Sequence, residues 1–151
     1  MSMNTLSKLD VTHLFRITGT RGVRQVDAGP GGIRTYTWVD QGAFEGERLR
    51  GRIEVGPSSE RAVVRSDGMV LAEVHLLLVT DDGAEIIMRH NATAAPRPYG
   101  MSIINFPVFE TAHPKYAWIN MVQAITLYAM KNGEVSPRDV YMINSSVFES
   151  L

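Results

Sequence analysis

Along Ile33–Asp40 the chain alternates: Ile33, Thr35, Thr37 and Val39 are separated by Arg34, Tyr36, Trp38 and Asp40. A period of two places the first set on one face of a strand and the second on the other. Comparable runs follow along the whole chain: HLFRITGT, GVRQVDAG, FEGERLRGRIEV, RAVVR, LAEVHLLLVT, AEIIMRHN, YGMSIINFPVFE, YAWINMVQAITLYAM and DVYMINSSVFE. Ser-Asp-Gly, Asp-Asp-Gly and Lys-Asn-Gly stand between runs, where the backbone needs turns. The pattern predicts an all-β fold, and the lack of strand–helix–strand units argues against a doubly wound sheet. YAWINMVQAITLYAM also has helical spacings, but its β-branched and aromatic residues favour a strand. The stretch NATAAPRPYGMS reads as an irregular loop, a candidate lid. Two-faced strands in series must hide their edges, which a closed antiparallel barrel does completely. At about eight strands such a barrel holds one small ligand. The expectation is a single β-barrel domain over residues 1–151, with 1–10 a flexible extension.

Composition narrows the function. The chain has 151 residues, 44% hydrophobic and 21% charged, as expected of one globular domain. Fifteen basic residues nearly balance sixteen acidic ones, for a net charge of −1, so nucleic-acid binding has no electrostatic footprint. The absence of cysteine removes disulfides, thiolate nucleophiles and Cys-based metal sites. No apolar run reaches the length of a membrane span, and MSMNTLSKLD has no hydrophobic signal region. A cytoplasmic protein without membrane or nucleic-acid partners is expected. No serine elbow, phosphate loop or dinucleotide fingerprint is present, so no cofactor is expected.

Candidate chemistry sits in LAEVHLLLVTDDGAEIIMRHN, residues 71–91. A two-residue turn at Asp82-Gly83 sets His75 opposite His90, and Glu73 then shares a face with His75, Ile86, Met88 and His90. A three-residue loop with a bulge sets Arg89 opposite His75 instead. On the first register two imidazoles and a carboxylate lie close together, a set suited to proton transfer near neutral pH. The same set could hold Zn²⁺, but without an HxH or HxxxH pair no metal is expected.

FPVFETAHPKYAWIN, with Pro107, Phe109, Glu110, Thr111, Tyr116, Ala117, Trp118 and Asn120, resembles the domain-of-unknown-function family 3237. So do the Thr80–Gly83 turn, the glycine-spaced Gly42, Phe44, Gly46, Leu49 and Gly51, and the element Gly32 to Arg34. The resemblance implies a calycin- or lipocalin-like antiparallel β-barrel and little about function. It also directs the Glu73/His75 face inward. Against the family pattern, Glu73 and His75 stand where an Asp and an Arg are usual. Ser59-Glu60-Arg61 replaces a Gly-x-Asp-Trp element, and an Arg expected within Ser102–Asn105 is missing.

The functional expectation is an acid–base enzyme of isomerase, cyclase, lyase or hydratase type on a small apolar or aromatic organic molecule. His75 is the expected proton carrier, with Glu73 and His90 beside it. Trp118, Asn120, Tyr36, Arg34, Tyr116 and Met88 are the expected substrate contacts, the aromatic rings for stacking and the amide for orientation. A non-catalytic binder in the same barrel is the alternative, its lining made adaptable by eight methionines. A homodimer or higher homo-oligomer is compatible with either.

Overall fold

The structure, a computed structural model, describes residues 6–151. The strands are β1 (Val11–Asp27), β2 (Ile33–Glu45), β3 (Arg50–Ile53), β4 (Ser59–Val64), β5 (Val70–Thr80), β6 (Glu85–Arg97), β7 (Gly100–Asn105), β8 (Val108–Glu110), β9 (Ala124–Lys131), β10 (Glu134–Val135) and β11 (Arg138–Ile143). A 3₁₀ segment covers Pro114–Met121, and a short α1 covers Ser146–Glu149. Residues 6–10 are exposed and carry no regular structure; the rest of the expected extension, residues 1–5, lies outside the described residues. Among the described residues no helix is long and apolar enough to cross a membrane.

All pairings are antiparallel. They run β1–β2–β4–β5–β6–β7–β9–β11 and return from β11 to β1. β3 joins β2 and β5, β8 adds to β6, and β10 adds to β9. The result is an all-β, β-barrel-like sheet. Its strands are not spaced evenly round one axis, so the expected closed, calycin-like barrel is met only at that coarser level.

Inward positions form two apolar clusters. The larger includes Phe15, Phe44, Leu78, Ile86, Met88, Phe109 and Ile119. Phe15 meets Phe44 and Phe109 edge-on, with centroids 5.5 and 6.0 Å apart, as aromatic quadrupoles prefer. The smaller cluster holds the neighbouring Ala62, Ala72 and Ala92 with Val74 and Ile103. A bulge near Leu14 sends both Leu14 and Phe15 into the core. The glycine-spaced motif reflects tight strand approach: a Cβ at Gly51 would stand 2.0 Å from the Val79 carbonyl oxygen, and one at Gly46 1.8 Å from that of Leu14.

Three expectations need correction. YAWINMVQAITLYAM is not one strand: His113 caps the Lys115 N–H, Pro114 opens a 3₁₀ segment, and its three-residue period buries Tyr116 and Ile119. The strand starts only at Ala124. The supposed lid is mostly strand, because β6 continues to Arg97 and β7 starts at Gly100. The last run leaves the sheet after Ile143 and turns into α1.

Candidate functional site

The β5–β6 turn decides which side chains face inward. Thr80 N–H donates to the Ala84 carbonyl, the Ala84 N–H donates to Thr80 Oγ1, and Gly83 takes a positive φ of 88°. Asp81-Asp82-Gly83 is thus a three-residue loop with glycine at the left-handed position. The Asp82 carboxylate locks it, accepting from Thr80 Oγ1 at 2.6 Å, Tyr116 Oη at 2.8 Å and Lys115 Nζ at 2.6 Å. These donors hold its carboxyl well below the usual range, Lys115 contributing most.

With this loop Val74 pairs with His90, Leu76 with Met88 and Leu78 with Ile86. Ile86 and Met88 point inward as expected, and His90 faces the cavity. The β5 half of the expectation is reversed. Glu73 and His75 lie outside and exposed, opposite Asn91 and Arg89, because the one-residue change of register exchanges the face shared across the hairpin. His75 therefore does not oppose His90. Among the described residues no group of three or more His, Cys, Asp or Glu side chains lies close enough to hold a metal.

Between the two apolar clusters lies a cavity of ≈70 Å³, walled on its apolar side by Ile17, Val74, Leu76 and Met88. Its polar side is built from Glu60, His90, Asn105, Thr126, Tyr128 and Arg138. Exposed Thr20, Arg21 and Gln41 border it beside the β1–β2 bulge that leaves Asp40 without a partner, which marks its mouth. The strand register explains the convergence: Thr37, Glu60, Val74 and His90 lie side by side across β2, β4, β5 and β6. Opposite them Asn105 pairs with Thr126, and Arg138 with Ile17.

The polar wall is under-satisfied. His90 Nδ1, Asn105 Oδ1 and Thr126 Oγ1 are buried and bond to no protein group, a costly condition unless something polar enters. Burial, and secondarily His75, lowers the His90 pKa to about 4, so the imidazole is neutral at pH 7. Burial raises the Glu60 carboxyl against the opposing pull of Arg21 and Arg138. Burial also raises the Tyr128 phenol and lowers the Arg138 guanidinium. A neutral imidazole and a carboxyl pushed towards its acid form are a base and an acid in one chamber.

Of the other expected contacts, Met88 lines this cavity and the rest lie elsewhere. Arg34 and Tyr36 stand on the outer face, in a shallow groove with Arg61, Glu73 and Asn91. Trp118 packs on the larger core with the Arg48 guanidinium 3.5 Å over its ring. Asn120 closes a loop, accepting from the Thr111 N–H and donating to the Thr111 carbonyl. Tyr116 is buried and holds the Asp82 turn. Sequence reasoning missed Glu60, Tyr128 and Arg138 as site residues. Glu60 and Arg138 stand one residue ahead of the runs RAVVR and DVYMINSSVFE, and Tyr128 lies inside YAWINMVQAITLYAM. Glu60 and Asn105 also fall within two of the departures from the family pattern.

The fold and site define a β-barrel-like protein with a polar chamber inside an otherwise apolar core. The chain belongs to the family described as protein of unknown function (DUF3237), whose model matches residues 9–143. It is 31% identical over 86 residues to the hydroalkoxylation enzyme phnH of Penicillium herquei, a match covering 52% of each chain. The match thus spans about half the length of that curated relative. Among solved structures, a β-barrel-like protein of Acinetobacter baumannii AYE superposes with a TM-score of 0.77 at 23% identity, over 94% of this chain and 100% of that one. A protein of unknown function from Clostridium acetobutylicum gives 0.79 at 20%, over 91% and 100%. An enzyme from Penicillium herquei gives 0.73 at 22%, over 93% and 98%. At these identities the likeness is one of fold.

Proposed function

We propose that this chain is a small-molecule enzyme using acid–base chemistry inside its barrel, and that it adds an O–H group across a carbon–carbon double bond of the same molecule. The observation that carries the reading is the neutral, half-buried His90, whose Nδ1 bonds to no protein group and which shares a chamber with Glu60. The relative named a hydroalkoxylation enzyme supports this reaction over isomerisation, cyclisation, elimination and hydration. His90 takes the proton from the substrate hydroxyl. The oxygen forms a C–O bond to one alkene carbon as the π bond breaks, and Glu60 gives a proton to the other. Proton return from His90 to Glu60 resets the pair, and the product is an isomer of the substrate. Val74, Leu76 and Met88 supply the apolar wall for a partly apolar, aromatic substrate. In this reading Arg34, Tyr36, Trp118, Asn120, Tyr116, Glu73 and His75 support the fold or its outer face, and the calycin-like barrel works in the cytoplasm without a cofactor.

The test is incubation with 2-(2-methylprop-2-enyl)phenol in D₂O. Ring closure to 2,2-dimethyl-2,3-dihydrobenzofuran, with one deuterium in a methyl group, is expected. His90→Gln lowers kcat by about 10²–10⁴-fold, whereas His75→Ala leaves it unchanged. Binding of the phenol with no ring closure overturns the enzyme reading in favour of a carrier.

A further inference from the structure

Among the described residues several exposed arginines are paired with carboxylates, whereas exposed Arg21, Arg24, Arg34 and Arg61 have none within 4.0 Å. Arg16 reaches Asp139 at 2.9 Å, Arg52 reaches Glu54 at 3.0 Å and Arg89 reaches Glu110 at 2.8 Å, while Arg65 bonds Asp67. Arg138 differs from all of these in its burial. It opens β11 on the inward side, opposite buried Ile17, and its guanidinium faces the cavity half-buried. Among the described residues no carboxylate lies within 4.0 Å of it, and it makes no hydrogen bond to a side chain. The next residue, Asp139, points outward and is taken by Arg16 and His13.

The charges around Arg138 do not balance. Arg21 and Glu60 act on it through space, as does the Tyr128 phenol, but none is in contact. Two guanidiniums therefore face one carboxyl, and burial pushes that carboxyl towards its neutral form. His90 adds no charge at pH 7. A partly desolvated cation with fixed hydrogen-bond donors and no partner is costly, and the fork of a guanidinium suits an oxygen anion.

Resting on the proposed function, we infer that the substrate carries an oxyanion on an aromatic body and that Arg138 holds it, with Tyr128 beside it and Arg21 guiding it in at the mouth. The anion has two sources, a carboxylate remote from the reacting centre, or the reacting phenol bound as phenolate, whose proton has then gone to solvent instead of His90 and whose addition leaves Glu60 to be re-protonated from solvent. Held there, the negative charge also keeps Glu60 protonated, the form the addition needs.

Three probes test this by calorimetry and by NMR of Met88 and His90: trans-cinnamate, its neutral isostere trans-cinnamamide, and 4-nitrophenol, whose colour reports ionisation. Tighter binding of cinnamate than of the amide supports a carboxylate site. Binding of 4-nitrophenol in its coloured phenolate form supports the phenolate source. Arg138→Met weakens whichever anion binds by about 10–100-fold, the worth of a hydrogen bond to a charged group, and leaves cinnamamide unchanged. Should Arg138→Met not fold, Arg138→Lys weakens the anion less, and Glu60→Gln, which removes the competing carboxylate, tightens it. Weaker anion binding in Glu60→Gln overturns the inference. Equal binding of acid and amide, with 4-nitrophenol bound uncoloured, overturns the anion inference while the cavity reading stands. If no probe perturbs Met88 or His90, both fall.

Discussion

Acidification should weaken this protein through His90 before it does so through the carboxylates. The imidazole pKa is 6.5 when free and about 4 in the fold, so the folded state binds fewer protons than the unfolded one. A depressed folded pKa contributes fully above pH 6.5 and is lost as pH falls towards 4. For a single site with these values the loss is about 0.2 kcal/mol at pH 7 and about 2 kcal/mol at pH 5, approaching about 3 kcal/mol below pH 4. Asp67, Asp82 and Asp139, all held below their usual range, lose their contributions mainly below pH 5. Glu60, raised by burial, acts with the opposite sign. These carboxyls remain in His90→Gln, so comparing the two proteins isolates the imidazole. Urea unfolding at pH 7 and pH 5 should show wild type losing about 2 kcal/mol more than His90→Gln over that interval. Equal losses would refute the reasoning and mean that His90 is solvated.

Leu78 is fully buried in the larger core, so Leu78→Ala should cost about 2–5 kcal/mol. Calorimetry should read this as a drop in Tm of about 4–20 °C. At Gly51 an added methyl meets the Val79 carbonyl and Thr80 Cα, both backbone atoms that cannot yield. Gly51→Ala should therefore cost about 3 kcal/mol or more in urea unfolding.

The alternating runs announced most strands, because a half-buried sheet writes its period of two directly into the chain. The inward face of β5 did not follow from that pattern. Val74/Leu76/Leu78 and Glu73/His75/Leu77 each carry apolar residues, and the choice rests on one residue of loop length. That length is set by Asp82, whose partners Tyr116 and Lys115 lie more than thirty positions away. The 3₁₀ segment was hidden for a related reason: Pro114 and the His113 cap outweigh the strand preference of Tyr116, Trp118 and Ile119. His90 and Met88 were legible as positions facing the interior. Glu60 and Arg138 stand just outside the alternating runs and Tyr128 inside one, and only the pairing of β4, β9 and β11 around the cavity brings them together.

The central claim is that a small molecule enters the interior and meets His90, rather than resting on the outer groove beside Glu73. The most direct measurement is the imidazole ¹⁵N spectrum during titration with 2-(2-methylprop-2-enyl)phenol. The account predicts a saturable shift of His90 with His75 unmoved. A shift of His75 with His90 unmoved would place the ligand on the outer face and contradict it.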